Sequence, residues 1–324
     1  MAYDVIGDIH GQADKLHALL AHLGYRNIKG AYRHPDRTAI FVGDFIDRGP
    51  RQIDSVMTVR RMLDAGSAQA IMGNHEFNAI AWHTPDPLQS GEHLRVRTGT
   101  KGEKNRKQHA AFLKEVQDKP ELHKEVIDWF MTLPLWLDLP GIRVVHACWH
   151  KGYMDELAPH LTSKNQLTPE LIESSSRAGS MPYVTVEALT KGLEVQLPTG
   201  HSFKDKDEHV RHEVRIKWWN ETSSTYRDLA LMPDEERELL PHLSIESDPR
   251  TPYDNAKPLF FGHYWMTGAP ARQTAIAACV DYSAAKEGPL VAYRWDGEPI
   301  LNNGKGHEPV DDFLMQFRLV LHFL

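Results

Sequence analysis

Short apolar runs and one-sided apolar stripes alternate along the first eighty residues. Tyr3-Asp4-Val5-Ile6 predicts a strand running into Gly7-Asp8-Ile9-His10-Gly11. Leu16, Leu19, Leu20 and Leu23 fall at helical spacing and predict a helix that Gly24 stops. Thr38-Ala39-Ile40-Phe41-Val42 predicts a buried strand leading into Gly43-Asp44-Phe45-Ile46-Asp47-Arg48-Gly49, and a helix follows over about 52–64. Ala68-Gln69-Ala70-Ile71-Met72 predicts a third strand, ending in Gly73-Asn74-His75-Glu76. Three strand–loop–helix units in series predict a largely parallel sheet with helices on it. Each polar motif then stands at a strand's carboxyl end, where open α/β sheets hold ligands.

The pattern is less regular afterwards. Residues 84–120 read as loops and a surface helix, with Lys101, Lys104, Arg106 and Lys107 as a solvated basic face or a phosphate-attracting one. Residues 121–137 read as a helix ending near Pro134, and Ile142-Arg143-Val144-Val145 as a strand leading to His146. Residues 151–257 read as an insertion packed beside the site, with a strand pair near 209–219 carrying Val210, Val214, Ile216 and Trp218. Strands over 258–261, 275–280 and 289–295, with short connections, suggest a second sheet with antiparallel pairing.

A chain of 324 residues fits a single domain over 1–324 with 151–257 as an insertion or cap. Hydrophobic residues at 41% and charged residues at 25% are those of a soluble globular protein. A net charge of −7 argues against a duplex nucleic-acid partner. The two cysteines, Cys148 and Cys279, imply no disulfide framework and point to a reducing cytoplasm. No basic leader and no long apolar run is present, so neither a signal peptide nor a membrane span is expected.

The motifs carry the candidate chemistry. Asp8 and His10, two apart at a strand end, point the same way and suit a borderline divalent metal. Asp44 follows its strand directly, which makes it a candidate bridge between two ions, with Asp47 and Arg48 serving the chemistry beside it. Taken singly, Asp8, Asp44 and Asn74 also fit turns or helix caps, and Arg48 fits a surface ion pair.

Five motifs stand in order: Gly7-Asp8-Ile9-His10-Gly11, Gly43 to Gly49, Gly73-Asn74-His75-Glu76, His146 after a Val-Val strand, and Gly262-His263. This set resembles the calcineurin-like metallophosphoesterases, and within them the phosphoprotein-phosphatase branch with its bacterial and phage Ser/Thr phosphatases and dinucleoside-tetraphosphatases. The resemblance covers 3–82, 136–149 and about 258–296, and leaves out the insertion. It implies an α/β fold of two packed mixed β-sheets flanked by helices. It implies two divalent ions, Mn²⁺ first and Fe, Zn, Ni or Co as alternatives, one held by Asp8, His10 and Asp44. The other would be held by Asp44, Asn74, His146 and His263. Arg48, Asn74 and His75 would meet the substrate phosphate, with Asp47 orienting His75 as donor to the leaving oxygen. The implied reaction is hydrolysis of a phosphomonoester, as on protein Ser or Thr, by in-line attack of metal-bound hydroxide. A dinucleoside polyphosphate or nucleotide-cap anhydride is the alternative substrate, and a non-catalytic binder of phosphorylated ligands is a third possibility.

The chain departs from that pattern in places. Met72 stands where protein phosphatases of the branch carry a phosphate-gripping arginine, and Ala147-Cys148 replaces a frequent Gly-Gly. The insertion offers Arg177, Lys204, Arg211 and Arg215 as replacement phosphate contacts, and Trp218 and Trp219 as either core residues or base-stacking platforms. His150, His201, His209 and His212 match no motif and read as surface or supporting groups. The motifs leave native metal, substrate and oligomeric state open.

Overall fold

The computed structural model describes residues 1–204 and 210–303, and the backbone of the strand Phe313–Met315. His209 and Lys206 lie outside the described residues. Five strands form one sheet in the order Phe313–Met315, Val291–Trp295, Ala2–Ile6, Arg37–Phe41, Ala68–Ala70. The last three run parallel, with Ile6 opposite Phe41 and Phe41 opposite Ala70. In-register parallel strands end at one edge, so the segments after Ile6, Phe41 and Ala70 emerge side by side. A second sheet has the order Ala277–Cys279, Leu259–Phe261, Arg143–Val145, Trp136–Asp138.

Strand alternation explains how the sheets pack. Tyr3, Val5, Ile40 and Tyr293 from the first sheet form one buried cluster with Val144, Phe260 and Ala278 from the second. The Phe260 and Tyr293 rings lie 4.9 Å apart. Full burial of a side chain such as Phe260 contributes roughly 1.5–3 kcal/mol, so this layer fixes the two strand-end edges relative to each other. On the outer face of the first sheet the helix Ala13–His22 buries Leu16, Leu19 and Leu20, and the helix Gln52–Asp64 buries Val56, Val59 and Met62.

Four expectations need correction. The apolar pattern over 121–137 is a helix only over Pro120–Phe130; Trp136–Asp138 is a strand paired antiparallel with Arg143–Val145. Leu259–Phe261 pairs parallel with both Ala277–Cys279 and Arg143–Val145, not antiparallel. The stretch between Phe261 and Ala277 is long enough for the crossover a parallel pair needs. Val291–Trp295 leaves that sheet for the first one, antiparallel to Ala2–Ile6. Near 209–219, Val210–Arg211 pairs with Phe203–Lys204, and Glu213–Arg215 with Glu194–Gln196.

Both cysteines are free and buried. Among the described residues no helix is long and apolar enough to cross a membrane.

Candidate active site

The three parallel strands deliver Asp8, Asp44 and Asn74 to one edge, and the second sheet delivers His146 and His263 opposite. All five are buried. The connecting backbone is unusual: His10 (φ 49°), Asp44 (φ 53°), Asp47 (φ 69°), Arg48 (φ 81°) and His263 (φ 73°) all adopt left-handed conformations. Such conformations cost energy for side-chain-bearing residues and persist where the surroundings over-determine them. Here Glu76 supplies much of that constraint. Its carboxylate accepts N–H bonds from Asp44 (2.8 Å), Phe45 (2.8 Å) and Gly73 (3.0 Å), tying two motif loops together. The Asp44 carbonyl in turn accepts from the N–H groups of Ile9 and His10, which ties in the third. Gly262 is required for space, because a Cβ there would stand 2.1 Å from Asp8 Oδ1.

Asp44 lies at the centre. Its Oδ1 accepts the His75 backbone N–H at 3.0 Å. Its Oδ2 lies 3.3 Å from His146 Nε2, 3.7 Å from His10 Nε2 and 3.9 Å from His75 Nε2. Second bonds set the ring orientations. His146 Nδ1 donates to the Val42 carbonyl (2.6 Å) and His10 Nδ1 to that of Ile46 (3.0 Å). Each ring therefore turns an Nε2 lone pair inward, as metal-ligating histidines do. Asn74 Oδ1 lies 3.3 Å from His146 Nε2.

These residues fit a pair of divalent cations. Asp44, His146 and His263 offer ligand atoms within 4.8 Å of one another, and so do His10, Asp44 and His75. Asp8 belongs to neither of those groups, but its Oδ1 is buried with no hydrogen-bond partner, as is His263 Nε2. A buried acceptor without a donor is costly, and a cation at these atoms would satisfy both. The charges agree. Burial, then Asp281 and Asp44, push the Asp8 carboxyl well above its usual range. Burial also raises the Asp281 carboxyl, to about 6. Carboxylates crowded in this way lack positive charge.

On the other side of Asp44 stands the pair His75 and Asp47. His75 Nδ1 donates to Asp47 Oδ2 at 2.6 Å, which leaves Nε2 facing Asp44. Burial opposes the protonated imidazole, but the carboxylates of Asp44 and Asp47 outweigh it and raise the His75 pKa. Arg48 is exposed, makes no salt bridge among the described residues, and is close enough for its charge to act on His10.

The insertion's basic residues divide. Arg177 is engaged elsewhere, gripping Asp86 through two bonds of 2.7 and 2.6 Å. Lys204 and Arg211 lie exposed on a two-stranded ribbon. Arg215 pairs with Glu194 at 3.2 Å and acts electrostatically on His263. Trp218 and Trp219 are core residues against Phe261, with Trp218 Nε1 donating to the Ala147 carbonyl at 3.0 Å. Lys101, Lys104, Arg106 and Lys107 form a solvated face of the helix Gly99–Gln108. His150 caps the helix Lys151–Leu157 by accepting the Tyr153 N–H, and His212 is exposed. His201 is half-buried on a turn.

Sequence reasoning missed three contributors. His109 Nδ1 meets Asp47 Oδ1 at 2.8 Å, and Gln52 Oε1 accepts the Asp47 N–H at 2.6 Å. Neither carries a local motif. Asp281 carried the same strand-end signal as Asp8, standing just past Ala277–Cys279, and that signal could have found it.

The sequence model of the calcineurin-like phosphoesterases matches residues 1–225. A bis(5'-nucleosyl)-tetraphosphatase PrpE (asymmetrical) of Bacillus velezensis is 32% identical over 152 residues, 45% of this chain and 56% of that protein. Its namesake from Halalkalibacterium halodurans is 43% identical over 76 residues, 23% of this chain and 31% of that protein. This chain thus spans little more than half, or less, of the length of these relatives. A solved protein serine/threonine phosphatase from Saccharomyces cerevisiae superposes with a TM-score of 0.51 at 16% identity, over 98% of this chain and 79% of that one. That likeness concerns the fold. With the family match taking in more than half of its residues, this chain belongs to the calcineurin-like phosphoesterase family.

Proposed function

We propose that this chain is a metal-dependent phosphoesterase that hydrolyses a phosphomonoester, with protein phosphoserine or phosphothreonine as candidate substrates. The observation that carries this is the place of Asp44 Oδ2, between His146 Nε2 at 3.3 Å and His10 Nε2 at 3.7 Å. Asp8, His10 and Asp44 would hold one divalent ion. Asp44, Asn74, His146 and His263 would hold a second. A mixed nitrogen and oxygen donor set suits Mn²⁺, Fe, Zn, Ni or Co better than calcium, and Mn²⁺ is the ion we assign first. Bound there, the ions would supply positive charge for the phosphoryl oxygens and a hydroxide nucleophile near neutral pH.

The chain's own groups account for the rest. Arg48, exposed and without a salt bridge among the described residues, presents a planar fork of donors for two phosphate oxygens. Arg215, whose charge already reaches His263, is the insertion residue best placed to add a second grip in place of the arginine absent at Met72. His75 gives its Nε2 proton to the departing oxygen. Its Nδ1–H stays hydrogen-bonded to Asp47, which favours the protonated ring and leaves Nε2 on the Asp44 side. His75 Nε2 also lies near enough to Asp44 and His10 to join them around one ion, but its tie to the Asp47 carboxylate fits proton donation rather than coordination. In this reading residues 151–257 form one wall of a single domain: the Leu189 carbonyl accepts the Ala147 N–H beside His146. Two buried free thiols fit a reducing cytoplasm.

A second reading, hydrolysis of a dinucleoside polyphosphate, is favoured by the names of the two bacterial relatives. Burial of Trp218 and Trp219 removes the stacking platform that the sequence offered it. Initial rates with Mn²⁺ on a phosphoserine peptide, p-nitrophenyl phosphate and diadenosine tetraphosphate separate the cases. Monoester turnover that a chelator abolishes and Mn²⁺ restores supports the first reading. Turnover of the tetraphosphate alone supports the second. No turnover on any of the three with both ions bound leaves a non-catalytic binder.

A further inference from the structure

Asp47 is held from both sides. One carboxylate oxygen meets His75 Nδ1 at 2.6 Å, and the other meets His109 Nδ1 at 2.8 Å. His109 is buried at the junction of the helices Gly99–Gln108 and Ala110–Val116, and its ring packs on Phe112 (centroids 5.0 Å apart) and Trp82 (6.1 Å). A carboxylate only accepts, so the His109 proton sits on Nδ1. With a single bond, to His75 alone, the terminal torsion of an aspartate is broad, and the His75 ring would swing with it. The second bond removes that freedom. Gln52 fixes the same residue's backbone.

We propose that His109 is a positioning residue for the hydrolysis: it locks the Asp47 carboxylate in the one orientation that points His75 Nε2 at the leaving oxygen. It touches neither phosphate nor metal ligand, and acts through Asp47 on His75. The proposal rests on the phosphoesterase reading and on His75 as proton donor.

The test compares phenyl phosphate, a poor leaving group, with p-nitrophenyl phosphate, a good one, on the Mn²⁺-loaded full chain. His109→Phe keeps a ring for Phe112 and Trp82 but removes the donor; His109→Asn keeps a donor near the Nδ1 position. Misorienting a catalytic group costs about 10- to 100-fold, so His109→Phe is expected to lower kcat on phenyl phosphate by that factor. KM should stay within about twofold, because ground-state binding is untouched. The loss on p-nitrophenyl phosphate is smaller, and His109→Asn regains most of the rate. Added to His75→Asn, His109→Phe causes no further loss. Equal losses on both substrates, or losses that multiply in the double variant, overturn the proposal. If His75→Asn shows the leaving-group dependence and His109→Phe does not, the proposal alone fails. If His75→Asn shows none, the proton-donor reading fails with it. Bound Mn²⁺ and melting temperature are read on every variant, and His109→Ala serves as a truncation should the phenylalanine ring not be accommodated.

Discussion

Glu76 Oε2 accepts the backbone N–H of Asp44 at 2.8 Å, and this bond makes the Asp44 loop dependent on a side chain that is not itself among the proposed metal ligands. The same carboxylate serves Phe45 and Gly73. In Glu76→Ala three buried N–H groups lose their acceptor, at roughly 1–3 kcal/mol each. That is a large share of the ~5–15 kcal/mol by which a domain is stable. Glu76→Ala is therefore expected to accumulate poorly as folded protein. Glu76→Gln, which keeps one oxygen, should fold with a lowered melting temperature. A Glu76→Ala variant that melts with the parent chain would show that the loop is held in some other way.

Trp218 offers a direct check on the nucleotide question. Trp218→Phe keeps an aromatic ring beside Phe261 but leaves the Ala147 carbonyl without its donor. The expected cost is about 1–3 kcal/mol in denaturant melts, with an unchanged KM for any diadenosine tetraphosphate turnover. A raised KM at undiminished stability would mean that the indole reaches a base.

His123 makes a pH prediction away from the metal ligands. Burial, with help from the neighbouring His83, His109 and Arg97, lowers its pKa from 6.5 to about 4. Between those values the unfolded chain takes up a proton that the folded chain refuses, so stability falls as pH drops from 6.5 toward 4. His123→Phe should lose part of that dependence, so that its stability rises relative to the parent chain's as pH falls from 6.5 toward 4. Parallel pH dependence in both chains would contradict the shift.

What was legible in the sequence was local. Asp8, Asp44, Asn74 and His146 each follow an apolar run, and a strand end fixes where such a residue must stand before any contact is known. Strand partners were less legible, because Phe261 and Cys279 are joined by a loop without a helix, and a short connection suggests a hairpin until its length is weighed against the crossover that a parallel pair needs. The sequence carries the helix on to near Pro134 because apolar residues continue the helical pattern past Phe130, while the backbone leaves the helix there and turns to strand at Trp136. His109 was invisible for a different reason. Its partner Asp47 lies 62 residues away, in a segment whose own composition reads as a polar surface. Of the two readings the sequence offered for Trp218 and Trp219, the core reading holds, because the turn that follows Glu213–Arg215 lays both rings against Phe261 and buries them.

The central claim is that Asp44 joins two metal subsites. Electron paramagnetic resonance of the chain loaded with Mn²⁺ tests it most directly, because two ions sharing a carboxylate are spin-coupled and separated ions are not. The account predicts a coupled spectrum at two Mn²⁺ per chain, replaced by isolated-ion signals in Asp44→Asn. Isolated-ion signals from the unaltered chain at full loading, or a coupled spectrum that survives Asp44→Asn, would contradict it.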